Sequence, residues 1–193
     1  EELRTTRTDP DGPLGRSLTE PEVALDLMVR NSGGAVVSIE SEGIGGQTKI
    51  KISRNPNLRD LTPLKKMDPE VLALSDAEVI DWESIFALTR LESLELAHCK
   101  LPTFPLTARS RRSFPQLKVL RLTGTPISNL SFLPTMPRLE VLVLTDTNVT
   151  DLSPLLTVRL PLRNLKIDGL NPANLRVLIN FPLESLTVSP MLI

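Results

Sequence analysis

The sequence predicts an α/β solenoid: a stack of short repeats, each giving one strand to a continuous parallel sheet and returning along the opposite side. Three observations lead there. A leucine frame, L-x-x-L-x-L, recurs along most of the chain. The stretch after each frame repeats too, with apolar residues at fixed places. Prolines number 17 among 193 residues, and several fall between the frames. That is about twice the usual share of ~5%.

The frame is clearest at Leu91–Leu101, LESLELAHCKL. It returns at Leu117-Leu120-Leu122, Leu139-Leu142-Leu144, Leu162-Leu165-Ile167 and Leu183-Leu186-Val188, in steps of 26, 22, 23 and 21 residues. Stepping back by 22 reaches Pro69-Leu72-Leu74, and a further 22 reaches Gln47-Ile50-Ile52. In L-x-L the period is that of a strand, so Leu94 and Leu96 face inward only if Glu95 faces out. The following halves align as DAEVIDWESI (76–85), GTPISNLSFL (124–133) and DTNVTDLSPL (146–155). They put Val79, Ile127 and Val149 in one apolar slot, and Trp82, Leu130 and Leu152 in the next. Units of 21–23 residues leave little room for a long outer helix, and Pro105, Pro134 and Pro154 oppose one, because an interior proline costs ~3 kcal/mol. The outer side is expected to be extended segments and short 3₁₀ turns.

This pattern resembles the leucine-rich-repeat family over residues 47–193, with short units of 21–23 residues of bacterial type. The resemblance implies a right-handed superhelix with its parallel sheet on the concave face. Each unit then buries its leucines only against its neighbours, so stability is a sum of interfaces between successive repeats. The slot that the family often fills with Asn or Cys holds Ala77, Cys99, Thr125 and Thr147. The resemblance implies that this residue bonds loop backbone across repeats, and a threonine hydroxyl is expected to do part of that work.

Ahead of the repeats, residues 1–18 read as a polar tail or linker. Residues 19–46 read as an N-terminal cap: Thr19 and Glu22 form a capping box, a helix runs to about Asn31, and AVVSIES begins a β-hairpin whose turn holds Gly43, Gly45 and Gly46. Residues 47–193 are the repeat domain. The first residue is Glu1 and only five residues follow the last frame, which suggests an excised or processed piece.

Composition narrows the function. Lys plus Arg is 22 against 23 for Asp plus Glu, a net charge of -1, without the basic excess a nucleic-acid binder usually shows. No apolar run reaches the ~20 residues of a membrane-spanning helix. Cys99 and His98 are the lone cysteine and histidine. Cys99 falls in an inward slot and is read as structural, as is Trp82. No cofactor or metal site and no enzymatic constellation is indicated. The Asn129-Leu-Ser and Asn148-Val-Thr triplets match the glycosylation sequon. Arg109, Arg111 and Arg112 sit in the one 26-residue unit, on a surface loop.

The remaining expectation concerns the sheet face. Residues between the inward leucines must share the concave surface: Val119, Arg121, Val141, Val143 and Lys166 form an apolar group bordered by cations. This group is the candidate site for a protein or peptide partner. The competing expectation is a structural spacer that docks other domains through the open edge near Leu186–Ile193 or through the arginine loop.

Overall fold

The computed structural model describes residue 23 and residues 36–41, 47–56, 60–101, 114–168 and 175–189. Eight strands form one sheet in sequence order: β1 (Val36–Ser41), β2 (Thr48–Ser53), β3 (Val71–Ser75), β4 (Ser93–Ala97), β5 (Val119–Thr123), β6 (Val141–Thr145), β7 (Asn164–Asp168) and β8 (Ser185–Ser189). β1 runs antiparallel to β2, pairing Val36 with Ser53, and completes the hairpin expected at this end. From β2 to β8 every pairing is parallel and in register, so that Leu72, Leu94, Leu120, Leu142, Leu165 and Leu186 form one row. This is an open solenoid. The expected cap helix, the glycine turn and the arginine loop lie outside the described residues, apart from Val23, which is helical.

Two leucine rows make the core. Leu94, Leu96, Leu120, Leu122, Leu142 and Leu144 are at most 1% exposed. The slots after the strands are filled as the repeat pattern requires: Val79, Ile127 and Val149 are buried, as are Trp82, Leu130 and Leu152. Each strand also ends in the same way. Arg54, Asp76, His98, Gly124 and Asp146 all have positive φ, from 50° at Asp76 to 59° at Gly124. Each donates its N–H to the next strand, as in His98 to Thr123 O at 2.7 Å and Gly124 to Thr145 O at 2.9 Å. Asp, His and Gly there are residue types that tolerate the left-handed region.

The return segments are short, and their chemistry decides their form. 3₁₀ turns η1 (Leu133–Thr135) and η2 (Ser153–Thr157) carry a proline in the first turn, and η3 (Leu175–Asn180) follows them in the next repeat. Two earlier returns are instead single turns of α-helix, Leu64–Met67 and Trp82–Phe86. The second has no internal proline and is capped by Asp81, whose side chain accepts from Ser84 N. An acidic or amide residue opens three further turns as well, before Leu64–Met67, η1 and η2. Asp60 and Asp151 accept from Thr62 and Ser153, and these hydrogen bonds hold both carboxyls below their usual range. Asn129 of the first sequon occupies the same place, its Oδ1 accepting from Ser131 N at 3.1 Å and Ser131 Oγ at 2.7 Å.

In the slot read as bonding across repeats, only the cysteine behaves as expected. Cys99 Sγ donates to Leu74 O of the preceding repeat at 3.3 Å, and burial pushes its thiol up to about 11. Thr125 and Thr147 are buried, but neither hydroxyl has a hydrogen-bond partner, contrary to the expectation. The larger sulfur, on a longer bond, reaches a carbonyl that a hydroxyl on the same Cβ does not.

Candidate protein-binding face

Because the strands are parallel and in register, every outward residue stands beside its counterparts on neighbouring strands, about 4.8 Å away. The middle row reads Lys51, Ala73, Glu95, Arg121, Val143, Lys166 and Thr187. The flanking rows hold Val71, Ser93, Val119, Val141, Asn164 and Ser185 on one side, and Ser75, Ala97, Thr123, Thr145, Asp168 and Ser189 on the other. Most of these side chains are small, so the long ones of the middle row rise from a shallow trough.

The five residues selected from sequence lie together on β5, β6 and β7, but they are not equally exposed. Arg121 and Lys166 are exposed, and Val119 and Val141 are half-buried. Val143, expected to be accessible, is only 9% exposed. Its in-register neighbours are Arg121 and Lys166, and long aliphatic stems on both sides screen a β-branched side chain between them. The apolar centre of this face is therefore the valine pair Val119 and Val141, with Val143 as its floor.

The charges also differ from a simple border of cations. Lys166 Nζ lies 2.8 Å from Asp168 Oδ2, and this hydrogen bond holds the Asp168 carboxyl below its usual range. Arg121 makes no ion pair among the described residues. Glu95, its in-register neighbour on β4, is likewise exposed, and the sequence argument placed it on this face without selecting it. Its sign and column position were the available signal. The face thus offers a guanidinium and, beside it, a carboxylate, neither ion-paired among the described residues, together with an apolar floor.

The family model described as leucine rich repeats (2 copies) matches residues 115–161, which contain β5, β6 and the turns that follow them. Residues 115–161 thus carry leucine-rich repeats, and the whole sheet has the architecture of a leucine-rich-repeat solenoid. A solved internalin from Listeria monocytogenes is similar in fold, with a TM-score of 0.56 and 26% sequence identity over 70% of this chain. The match spans 39% of that internalin chain. No curated protein matches in sequence. Leucine-rich repeats are in general protein-interaction modules, which is the level of function this similarity supports. No helix among the described residues is long and apolar enough to cross a membrane.

Proposed function

We propose that this chain is a protein- or peptide-binding module whose partner lies on the concave face around Val119, Arg121, Val141, Val143 and Lys166. The observation that carries the reading is the exposed Arg121, unpaired among the described residues, beside the Val119–Val141 pair on the sheet face, where successive repeats must present side chains together. Protein interfaces favour an apolar centre with arginine as an anchor. The near-neutral charge balance favours a protein over a nucleic acid. Binding, not catalysis, is the activity these residues suit.

The test is selection of peptides from a displayed random library on the immobilised chain, with Arg121→Glu as the comparison. Arg121 is exposed, so the variant is expected to keep its melting temperature while losing most selected binders, because the sign of the anchor is inverted. Binders indifferent to Arg121→Glu would refute the concave-face reading. A spacer reading stands second, motivated by Leu186 and Val188 on β8, which are 47% and 38% exposed although they occupy inward slots. It predicts binders that crosslink to β8.

A further inference from the structure

Outside the concave face, the surface has one uneven feature. Among the described residues, every exposed large hydrophobic side chain except Ile80 falls between Leu156 and Val188. Ile179 is 88% exposed and Leu156 is 56% exposed. Their spacing is not accidental. Thr135 Oγ1 donates to Phe132 O and Thr157 Oγ1 to Pro154 O, which aligns η1 with η2 at a step of 22 residues. Buried Leu155 and Leu178 align η2 with η3 at a step of 23. On that alignment Pro134, Leu156 and Ile179 hold one position in three consecutive repeats, and all three are exposed. The same position two repeats before Pro134 is Phe86, which is half-buried and packs on Phe114 with ring centroids 5.2 Å apart. On the described convex turns this position is thus apolar, covered at Phe86 and open at Pro134, Leu156 and Ile179.

Beside this open apolar stripe lies a groove of about 610 Å³ lined by Leu156, Val158, Arg159, Pro161, Asn180 and Phe181. Arg159 is its one charged lining residue; it is exposed and makes no ion pair among the described residues. We propose that the convex turns of η2 and η3 are a second docking surface, and that its occupant is an amphipathic partner helix. The helix lays its apolar face on Leu156, Ile179 and Phe181 and points a carboxylate at Arg159.

The choice of a helix follows from the backbone. The convex turns present no strand edge, so a partner pressed on this stripe must bring its own backbone hydrogen bonds, as a helix does. Spacing agrees: successive repeats lie about 4.8 Å apart at the sheet, close to the ~5–6 Å between i and i+4 side chains of a helix. Charge selects the rest, since a lone guanidinium on an apolar rim pairs best with a carboxylate, in bidentate geometry. This surface is independent of the concave reading and lies on the opposite side of the stack.

The experiment uses the full chain and defined probes: a fluorescent helical peptide with leucines at i, i+4 and i+7 and glutamates flanking them, its lysine counterpart, and a version broken by two prolines. Anisotropy titrations are expected to show binding of the glutamate helix alone. Ile179→Ser and Leu156→Ser should weaken it by about tenfold or more, since one large apolar contact is worth that much. The melting temperature should not change, because both side chains already face solvent. Arg159→Glu should switch preference to the lysine helix, while Arg121→Glu leaves binding intact. No binding, equal binding of the proline-broken peptide, or loss through Arg121→Glu instead would overturn the proposal. So would self-association abolished by Ile179→Ser, which would give the stripe to a second copy of the chain.

Discussion

Gly124 shows how a single position carries the repeat's geometry. Its φ of 59° matches the left-handed turn that Asp76, His98 and Asp146 adopt at the ends of their own strands. A Cβ at Gly124 would also run into the imidazole of His98. These two effects make different predictions. The left-handed backbone costs an ordinary residue about 1–2 kcal/mol. His98, however, is exposed, so its ring is free to swing aside. Gly124→Ala should therefore lose about 1–2 kcal/mol in urea unfolding, and the loss should persist in a His98→Ala background, with a coupling below about 0.5 kcal/mol. A coupling well above that would mean the ring is held in place. Val143 teaches the converse lesson. Period-2 alternation assigns its face correctly, but exposure depends on the neighbours across the sheet. Arg121 and Lys166 are 22 and 23 residues away in sequence. Alternation along one strand does not report how far two long stems close over the residue between them.

At the scale of the element, strands were legible and returns only in part. The alternation of large aliphatic and small or polar residues placed Val71–Ser75 through Ser185–Ser189 in their observed register, because a one-residue slip would turn every leucine outward. The return between two strands has no such all-or-none pattern, and its form follows from a few capping contacts. Asp81 illustrates this. Its Oδ1 accepts from Ser84 N at 3.1 Å, and its Oδ2 accepts from Ser84 Oγ at 2.6 Å and from Leu61 N of the preceding repeat at 2.8 Å. Ser84 is 1% exposed, so removing the carboxylate strands a buried hydroxyl as well as a helix end. Asp151 holds the equivalent place but is exposed, and its partners, Ser153 N and Oγ, are also open to water. Asp81→Ala should thus cost about 2–4 kcal/mol, a lost cap plus unsatisfied buried groups. Asp151→Ala should cost about 0.5–1 kcal/mol. Thermal unfolding of the two variants distinguishes them, and equal losses would show that the cross-repeat bond to Leu61 contributes nothing.

For the whole molecule, a stack with only nearest-neighbour interfaces should not be equally stable along its length. The row of inward leucines makes the gradient visible. Leu120 and Leu142 have no exposure and Leu165 has 2%, yet Leu186 on β8 has 47%. In the described sheet β8 is paired on one side only, whereas β5 and β6 are paired on both. Ion pairs do not compensate: Arg163 and Glu184 join the last two repeats, but both are more than half exposed, and such pairs contribute at most about 1 kcal/mol. Local opening should therefore begin at β8 and η3, the end of the stack that presents Ile179 and Val188 to solvent. Native-state hydrogen exchange is expected to show the fastest exchange among the parallel strands at β8, then β7, with β5 and β6 protected to near the global stability. Leu142→Ala should cost about 2–5 kcal/mol, and Leu186→Ala less than about 1 kcal/mol, because most of the burial that a leucine contributes is missing there. Protection as strong at Leu186 as at Leu142 would mean that the stack unfolds as one unit. If a partner covers β8, as the spacer reading holds, its addition should raise protection at β8 and leave β5 and β6 unchanged. A partner on Arg121 should protect the middle of the sheet instead, so one exchange experiment with a bound partner separates the two modes of use.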